Sequence, residues 1–237
     1  MIKPLLLIAS LFVASATVAV AQAAGPSQMT VTYDLYRNGI KLGQVNDTFT
    51  RTANRYTLVS ETRATGPLKM LWPGNIRLES TGIVTPQGLR PSQFQHARSD
   101  APHKLATARF DWKQRNVAFQ YKGESWQVNG LQNGAQDQLS QVYQFMFAPS
   151  IPADYALQVV SGRNSHDYRF ARSDGGPIQT PQGTWPTQQY QRTQQKADEK
   201  MITVWVAPAQ HNLPVQIRVE EDGVTLEQRL VRASVKR

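Results

Sequence analysis

Hydrophobic and polar residues alternate along most of this chain with a period of two. In residues 29–35 the odd positions are apolar or aromatic and the even positions are polar. The same alternation returns in later segments, among them 155–159, 202–206 and 213–219. Because successive side chains of a strand point to opposite faces of its sheet, this period is typical of half-buried antiparallel strands. The pattern therefore predicts an all-β fold with mainly antiparallel strands.

Short polar segments between the alternating stretches contain residues that tight turns require. The dipeptide Asn38-Gly39 joins two such stretches, and it tolerates the positive φ of a hairpin turn. Residues 113–116 and 221–223 predict two further hairpins, and a phase change at Gly43 predicts a β-bulge. No linker divides the chain, so we expect residues 24–237 to form a single domain. Its expected architecture is a strongly curved sheet, either an incomplete or a closed β-barrel.

One segment, residues 137–147, has a helical period instead. Its apolar side chains occur at spacings of three and four residues: Leu139, Val142, Tyr143 and Met146. Asp137 is suited to cap the start of the helix, and Pro149 is suited to end it. A single helix of about three turns is not stable alone in water. We therefore expect one short helix that packs its apolar face on the sheet or across the barrel mouth.

The first residues of the chain, 1–23, resemble an export signal. Lys3 precedes an apolar run over residues 5–20, and small residues follow it. The run is short for a bilayer span and suits the core of a signal peptide. We expect cleavage after Ala21 or Ala23 and no transmembrane segment in the remaining chain. The expected location is the periplasm, with full secretion as the alternative.

Composition narrows the class of protein further. The chain has no cysteine, which excludes disulfides, thiolate metal sites and a lipid attached to a cysteine. Its formal net charge is +9, and the basic residues are scattered rather than clustered. Scattered charge predicts a solvated basic surface, and an exported protein meets anionic lipids and glycans rather than nucleic acid. We expect no nucleic-acid partner.

Several short motifs follow one another in an order that resembles a bacterial family. They are Ser80-Thr-Gly, Gly88-Leu-Arg-Pro, Phe110-Asp-Trp, Gln136-Asp-Gln-Leu-Ser, Thr180-Pro-Gln-Gly and Trp205-Val-Ala-Pro, followed by Leu213-Pro-Val-Gln-Ile. Over residues 30–233 the chain thereby resembles the exported family known as domain of unknown function 3108 (DUF3108). The resemblance implies an exported β-rich domain related to the half-barrels of lipoprotein-carrier proteins. It implies no known activity, so no catalytic residue is transferred from it.

Residues able to do catalytic chemistry do not form a recognisable pattern. His96 and His103 could face each other across a turn, but no pair of histidines has the spacing of metal ligands. No nucleophile elbow of the form G-x-S-x-G is present. Four carboxylates are conceivable glycosidase residues: Glu79, Asp111, Glu124 and Asp137. We predict a protein that is not an enzyme and that has no cofactor and no metal site, with a cell-wall glycan enzyme as a distant alternative.

Residues 66–74 combine proline and glycine with large apolar side chains. The apolar residues are Leu68, Met70, Leu71 and Trp72. Because a connection usually exposes polar residues, these side chains need a partner. They either fold over the interior as core packing or form a lid that touches apolar ligands or a membrane. The nearby cations Arg63, Lys69 and Arg77 could then contact phosphates.

A curved sheet has a concave side on which a ligand can bind. We expect Tyr33, Tyr56, Phe119 and Trp126 to line that side and to bind the ligand together with the apolar residues of segment 66–74. The leading prediction is a non-enzymatic binding module for an amphipathic ligand, such as a lipid, a lipidated protein or an envelope glycolipid. The alternative is a structural or interaction protein whose strand edges dock an envelope partner.

Overall fold

The computed structural model describes residues 25–66, 74–194 and 199–236. Within these ranges the chain forms fifteen strands, one α-helix and two short 3₁₀ turns. The strands are β1 (Gln28–Arg37), β2 (Ile40–Thr52), β3 (Arg55–Ala64), β4 (Asn75–Thr85), β5 (Gly88–Arg98), β6 (Ala106–Asp111), β7 (Asn116–Tyr121), β8 (Glu124–Asn129), β9 (Gln136–Asp137), β10 (Asp154–Val160), β11 (Ser165–Thr180), β12 (Gly183–Arg192), β13 (Met201–Ala207), β14 (Leu213–Glu221) and β15 (Val224–Lys236). The helix is α1 (Ser140–Phe147), and the 3₁₀ turns are Pro102–Lys104 and Pro208–Gln210. The predicted all-β class is confirmed.

All of these strands belong to one sheet, in the order β8-β7-β6-β5-β4-β3-β2-β1-β15-β14-β13-β12-β11-β10-β9. Two antiparallel meanders, β1–β8 and β10–β15, are joined by the pairing of β1 with β15. The short strand β9 lies parallel to β10 and leads the chain into α1. Hydrogen bonds do not close the sheet between its edge strands β8 and β9. Of the two predicted architectures, the incomplete barrel is therefore correct.

The turns and the bulge of the first hairpin follow the sequence prediction. Asn38 and Gly39 connect β1 to β2 with positive φ values of 48° and 80°. The register between these strands shifts after Leu35, which pairs with Gly43, so a bulge lies at the predicted position. The hairpins at residues 113–116 and 221–223 are also present. Local turn chemistry therefore sets the register of these pairs.

The helix begins at Ser140, three residues later than predicted, and ends at Phe147 as predicted. Asp137 still caps it, because its Oδ1 atom accepts hydrogen bonds from the backbone N–H groups of Leu139 (2.9 Å) and Ser140 (2.7 Å). At the other end Ala148 is extended, with φ −70° and ψ 139°. This conformation is expected for a residue that precedes proline, and it ends the helix.

Burial of α1 extends beyond the single apolar face that the sequence predicts. The ring of Phe147 lies 4.7 Å from that of Phe49 in β2, and the ring of Phe145 lies 4.6 Å from that of Tyr190 in β12. The helix therefore contacts both meanders at once. Gln144 is also buried, and its Oε1 atom accepts a hydrogen bond from the backbone N–H of Leu89 at 2.8 Å. Polar as well as apolar contacts hold α1 on the sheet.

A glycine in β4 is required by close packing. A Cβ atom added to Gly82 would lie 2.2 Å from the carbonyl oxygen of Arg90 and 2.9 Å from the Tyr56 ring. We expect Gly82→Ala to lower the free energy of unfolding by about 1–3 kcal/mol, because the sheet must shift to admit the methyl group. Urea denaturation followed by tryptophan fluorescence measures this loss. Thr81→Ala, on the opposite face of β4, is the control and should cost less; an equal loss would contradict the packing argument.

Candidate ligand-binding site

A cavity of about 480 Å³ lies between the first turn of α1 and the concave face of the sheet. Its apolar wall consists of Leu78, Val142, Val159, Ile202, Ile217 and Val219. Its polar wall includes the side chains of Asp47, His96 and Gln141. This volume lies within the range of roughly 300–1,000 Å³ that small-molecule sites occupy. The cavity can therefore hold a small ligand that has both apolar and polar parts.

Asp47 of β2 is a buried carboxylate at the wall of this cavity. Its Oδ2 atom accepts a hydrogen bond of 2.5 Å from the hydroxyl of Tyr143, which α1 supplies. Tyr33 lies behind this pair, with its hydroxyl 3.3 Å from that of Tyr143 and donating to the carbonyl of Pro214 at 2.9 Å. The Oδ1 atom of Asp47 has no hydrogen-bond partner among the described residues.

Burial controls the ionisation of Asp47. Removal from water raises the pKa of its carboxyl group to about 6, and the hydroxyls of Ser60 and Tyr143 offset part of this rise. Ser60 lies close enough to favour the carboxylate without making a well-formed hydrogen bond to Oδ1. The described residues form no ion pair with Asp47. At neutral pH Asp47 is therefore a buried carboxylate next to the cavity, with its Oδ1 atom enclosed by protein.

Two more buried polar atoms at this cavity have no partner among the described residues. They are Oε1 of Gln141 and Nε2 of His96. The Nε2 atom of Gln141 is satisfied, since it donates to the carbonyl of Gln138 at 3.2 Å. Burial lowers the pKa of His96, and the cations Arg163 and Arg98 lower it further, so the imidazole is neutral at pH 7. More than nine in ten buried polar groups in proteins are paired, so these enclosed atoms are exceptions in the interior next to the cavity.

The cations of the cavity wall already have partners. Lys200 forms an ion pair of 3.0 Å with Glu221, and the guanidinium of Arg163 lies 5.2 Å from the centre of the Tyr121 ring. Neither is paired with Asp47. The charge of Asp47 is therefore not neutralised by the basic residues beside it.

A second buried carboxylate, Asp137, has a different environment. Its Oδ2 atom accepts a hydrogen bond from the hydroxyl of Ser80, while its Oδ1 atom caps α1. Tyr56 completes the cluster, with its hydroxyl 2.9 Å from that of Ser80. Burial raises the pKa of Asp137 to about 6, although these hydrogen bonds lower it in part. Both oxygens are paired, so Asp137 holds the helix and has no free group for a ligand.

The predicted ligand-binding residues fall into three groups. Leu68, Met70, Leu71 and Trp72 lie outside the described residues. Tyr33 and Tyr56 are buried beside α1, where Tyr56 stacks on Phe49 at 5.8 Å, but neither lines the cavity. Phe119 and Trp126 stack on each other at 5.5 Å beside a separate, open depression over β6–β8. Ligand contacts at these positions stay predictions.

The predicted basic rim has ion pairs of its own. Arg63 and Arg77 both bind Glu61, at 2.8 Å and 2.9 Å, and Arg77 also binds Glu79 at 2.8 Å. Lys69 lies outside the described residues. The charge of the two arginines is therefore shared with carboxylates before any phosphate could approach.

Three of the four conceivable catalytic carboxylates have local structural roles, among them Asp137, which caps α1. Glu79 pairs with Arg77, and Oδ1 of Asp111 accepts hydrogen bonds from the backbone N–H groups of Lys113 (3.0 Å) and Gln114 (2.8 Å). In the part of the chain that the structure describes, no group of three or more histidine, aspartate and glutamate side chains could hold a metal ion. Nor does any described helix combine the length and the apolar character needed to cross a membrane.

Sequence reasoning did not select Asp47, and it considered His96 only as a possible partner of His103, although a local signal was present. Asp47 lies between Val45 and Phe49 on the inward face of β2, and His96 lies two residues after buried Phe94. A charged or titratable residue in the inward phase of an alternating strand is unusual, because burial without a partner is costly. Both residues can therefore be recognised from the sequence as titratable residues at inward positions of alternating strands.

The comparisons with known proteins agree with this fold. The model of the family described as "Protein of unknown function (DUF3108)" matches residues 30–228. A beta-barrel-like protein of domain of unknown function DUF1849 from Brucella abortus is similar in structure, with a TM-score of 0.56 at 10% identity over 92% of this chain and 100% of that chain. A DUF1329 family protein from Desulfovibrio piger covers 89% of this chain and 86% of its own at 9% identity, but its TM-score of 0.25 carries no argument. No curated protein matches this chain.

Proposed function

We propose that this chain, which belongs to the DUF3108 family of proteins of unknown function, is an exported binding protein for an amphipathic ligand. A lipid, a lipidated protein or an envelope glycolipid has this chemistry. The observation that supports the proposal is the cavity between α1 and the sheet, which both apolar and polar residues line. In this proposal the protein works in the periplasm, where residues 1–23 would direct it.

The energetics of the cavity favour a binding role. Polar and apolar residues line the same space, so an amphipathic ligand can contact both kinds of residue there. Apolar contacts with Ile202, Ile217 and Val219 add the hydrophobic part of the binding energy. Such a site binds without needing any group that reacts.

Probe binding tests the proposal directly. Residues 24–237 are titrated with the fluorescent dye N-phenyl-1-naphthylamine, whose emission rises when it binds in an apolar site. We expect saturable binding at a single site. Native mass spectrometry of protein purified from its own periplasm should in addition show a bound small amphiphile. Absence of both signals would contradict the proposed function.

A variant that fills the cavity locates the binding site. We expect Val142→Trp, on the α1 wall of the cavity, to reduce probe affinity about tenfold or more, because the indole occupies the space that the ligand needs. Thr30→Trp adds the same side chain on an exposed position of β1 and is the matched control. Equal affinity of the two variants would place the probe elsewhere on the protein.

A further inference from the structure

We propose that the ligand of this cavity carries a negatively charged head group, which Arg163 binds where the cavity opens to solvent. This inference rests on the proposed function and adds the chemical class of the ligand. The juxtaposition that supports it is an exposed guanidinium, with no carboxylate partner among the described residues, on the wall of a cavity that is otherwise largely apolar.

Arg163 lies at one end of a row of cross-strand neighbours on the inward face of the sheet. The row runs from β2 to β7 through Asp47, Ser60, Leu78, His96, Ala106 and Tyr121. The turn between β10 and β11, residues 161–164, covers the β7 end. A Cβ atom added to Gly162 would lie 2.6 Å from the Cβ atom of Ala106, and the guanidinium of Arg163 lies 5.2 Å from the centre of the Tyr121 ring.

The buried carboxylate of Asp47 is at the other end of the same row. Neighbouring strands are about 4.8 Å apart, and the row crosses from β2 to β7. The Oδ1 atom of Asp47 is also enclosed by protein. A head group at Arg163 therefore does not meet the charge of Asp47.

The charge of Arg163 is not neutralised within the described part of the chain. Its partner there, the Tyr121 ring, orients the guanidinium but carries no charge. The ammonium of Lys122 lies 5.4 Å from the centre of the same ring, so this end has a second cation. The described residues form no ion pair with either of them, whereas Lys200 pairs with Glu221 at 3.0 Å.

The positive potential of this end reaches the cavity wall. Burial lowers the pKa of His96, and the charges of Arg163 and Arg98 lower it further. Arg98 is paired with Asp100 at 2.7 Å, but Arg163 is exposed and lines the cavity itself. The same potential that disfavours a positive imidazole favours a negative ligand.

Residues next to Arg163 add hydrogen-bond donors at the opening. The Oδ1 atom of Asn164 accepts a hydrogen bond from the Ser161 hydroxyl at 2.5 Å, which leaves the amide N–H groups of Asn164 for a ligand. The imidazole of His166 is exposed and stacks on Tyr168, with ring centres 6.3 Å apart. All four of these residues line the cavity. The planar fork of an arginine matches the oxygens of a carboxylate or a phosphate.

The cavity continues from this opening to apolar side chains. His166 pairs in register with Val159 across β10 and β11, and both residues line the cavity. Ile202, Ile217 and Val142 line the same space. A hydrocarbon chain can contact these residues while its head group stays at the exposed guanidinium, so no ion has to be buried. The ligand class is therefore an anionic amphiphile.

Three probes with the same hydrocarbon chain and different head groups test this inference: octanoate, octylamine and octanol. Each is used to displace N-phenyl-1-naphthylamine from residues 24–237 at pH 7.5. We expect octanoate to displace the dye at about tenfold lower concentration than octylamine, because Arg163 attracts the carboxylate and repels the ammonium. Added sodium chloride should reduce this difference, since salt screens charges at an exposed site. Because this comparison uses the unaltered chain, it does not depend on whether any variant folds.

Arg163→Gln then shows which residue recognises the head group. The glutamine side chain is polar but has no charge, so we expect the affinity for octanoate to fall about three- to tenfold while that for octanol stays the same. Arg169→Gln is the matched control, because it removes one positive charge from the outward face of β11, where Arg169 pairs with Asp154 at 2.7 Å. It should leave the affinity for octanoate unchanged. Circular dichroism confirms that both variants are folded.

The outcomes separate this inference from the proposed function. If octylamine displaces the dye as well as octanoate does, or if a folded Arg163→Gln variant keeps the preference for octanoate, the inference is wrong while the apolar cavity still binds ligands. An equal loss of octanoate affinity in Arg169→Gln would also contradict it, because net charge would then be sufficient. If N-phenyl-1-naphthylamine and all three competitors fail to bind, the proposed function is wrong.

Discussion

Phe147→Ala is expected to lower the free energy of unfolding by about 3–5 kcal/mol. Phe147 is fully buried at the end of α1, where its ring lies 4.7 Å from the ring of Phe49. Gly25 packs on the other side, so closely that a Cβ atom there would lie 2.4 Å from the Phe147 ring. Truncation would leave a cavity that neither neighbour can fill. Phe49 is fixed within strand β2, and Gly25 has no side chain that could move into the space.

Urea denaturation followed by tryptophan fluorescence measures the loss. The matched control is Val142→Ala on the same helix, whose side chain is half-buried at the open cavity, and it should cost about 1 kcal/mol or less. Equal destabilisation by the two variants would mean that α1 does not anchor the sheet through Phe147.

Stability is expected to change with pH through the two buried carboxylates. The pKa values of Asp47 and Asp137 are about 6 in the folded protein, because burial disfavours their charged forms, against 3.8 for an unperturbed carboxyl group. Between these values the folded state binds more protons than the unfolded state. The contribution of each carboxylate to the free energy of unfolding therefore falls as pH rises from about 4 to about 7. The difference corresponds to roughly 3 kcal/mol for each group.

Asp47→Asn isolates one of the two contributions. The variant cannot ionise at position 47, so its free energy of unfolding, relative to that of the original chain, should rise by roughly 3 kcal/mol between pH 4 and pH 7. The new amide also changes the free energy of unfolding, but by an amount that does not depend on pH. The experiment therefore compares the slope of the free energy of unfolding against pH. Urea denaturation at pH 4, 5, 6 and 7 gives the slope.

An exposed carboxylate provides the control for this series. Asp222 lies in the turn between β14 and β15, where asparagine also tolerates the positive φ of 50°. Asp222→Asn makes the same chemical change at that exposed turn and is measured at the same four pH values. If Asp47→Asn had the same slope against pH as the original chain, burial would not be raising the pKa of Asp47.

Parts of the candidate site could be predicted from the sequence. The inward phase of β2 places Asp47 among apolar residues, and the i, i+4 spacing of Leu139 and Tyr143 places both on one side of the helix. The sequence also predicted Asp137 as the cap of α1, and its hydrogen bonds confirm that role. These features were predictable because each depends on residues a few positions apart.

The contact between Asp47 and Tyr143 was not predictable in the same way. The two residues are 96 positions apart, and they meet only because α1 packs on β2. Sequence reasoning placed the ligand against aromatic residues such as Tyr33 and Tyr56. In the structure these side chains are used in the core and in hydrogen bonds to Pro214 and Ser80. The open space instead lies beside aliphatic residues of β13 and β14.

Alternation and turn dipeptides were enough to predict an all-β fold of mainly antiparallel strands and the hairpins at residues 38–39, 113–116 and 221–223, since these follow from neighbours along the chain. The pairing of β1 with β15, the open edges at β8 and β9 and the position of the cavity were decided by how the two meanders curve around α1. The physical reason is the distance along the sequence over which each interaction acts. Strand and turn preferences act over a few residues. The space left between a helix and a curved sheet depends on the packing of side chains from all parts of the chain at once.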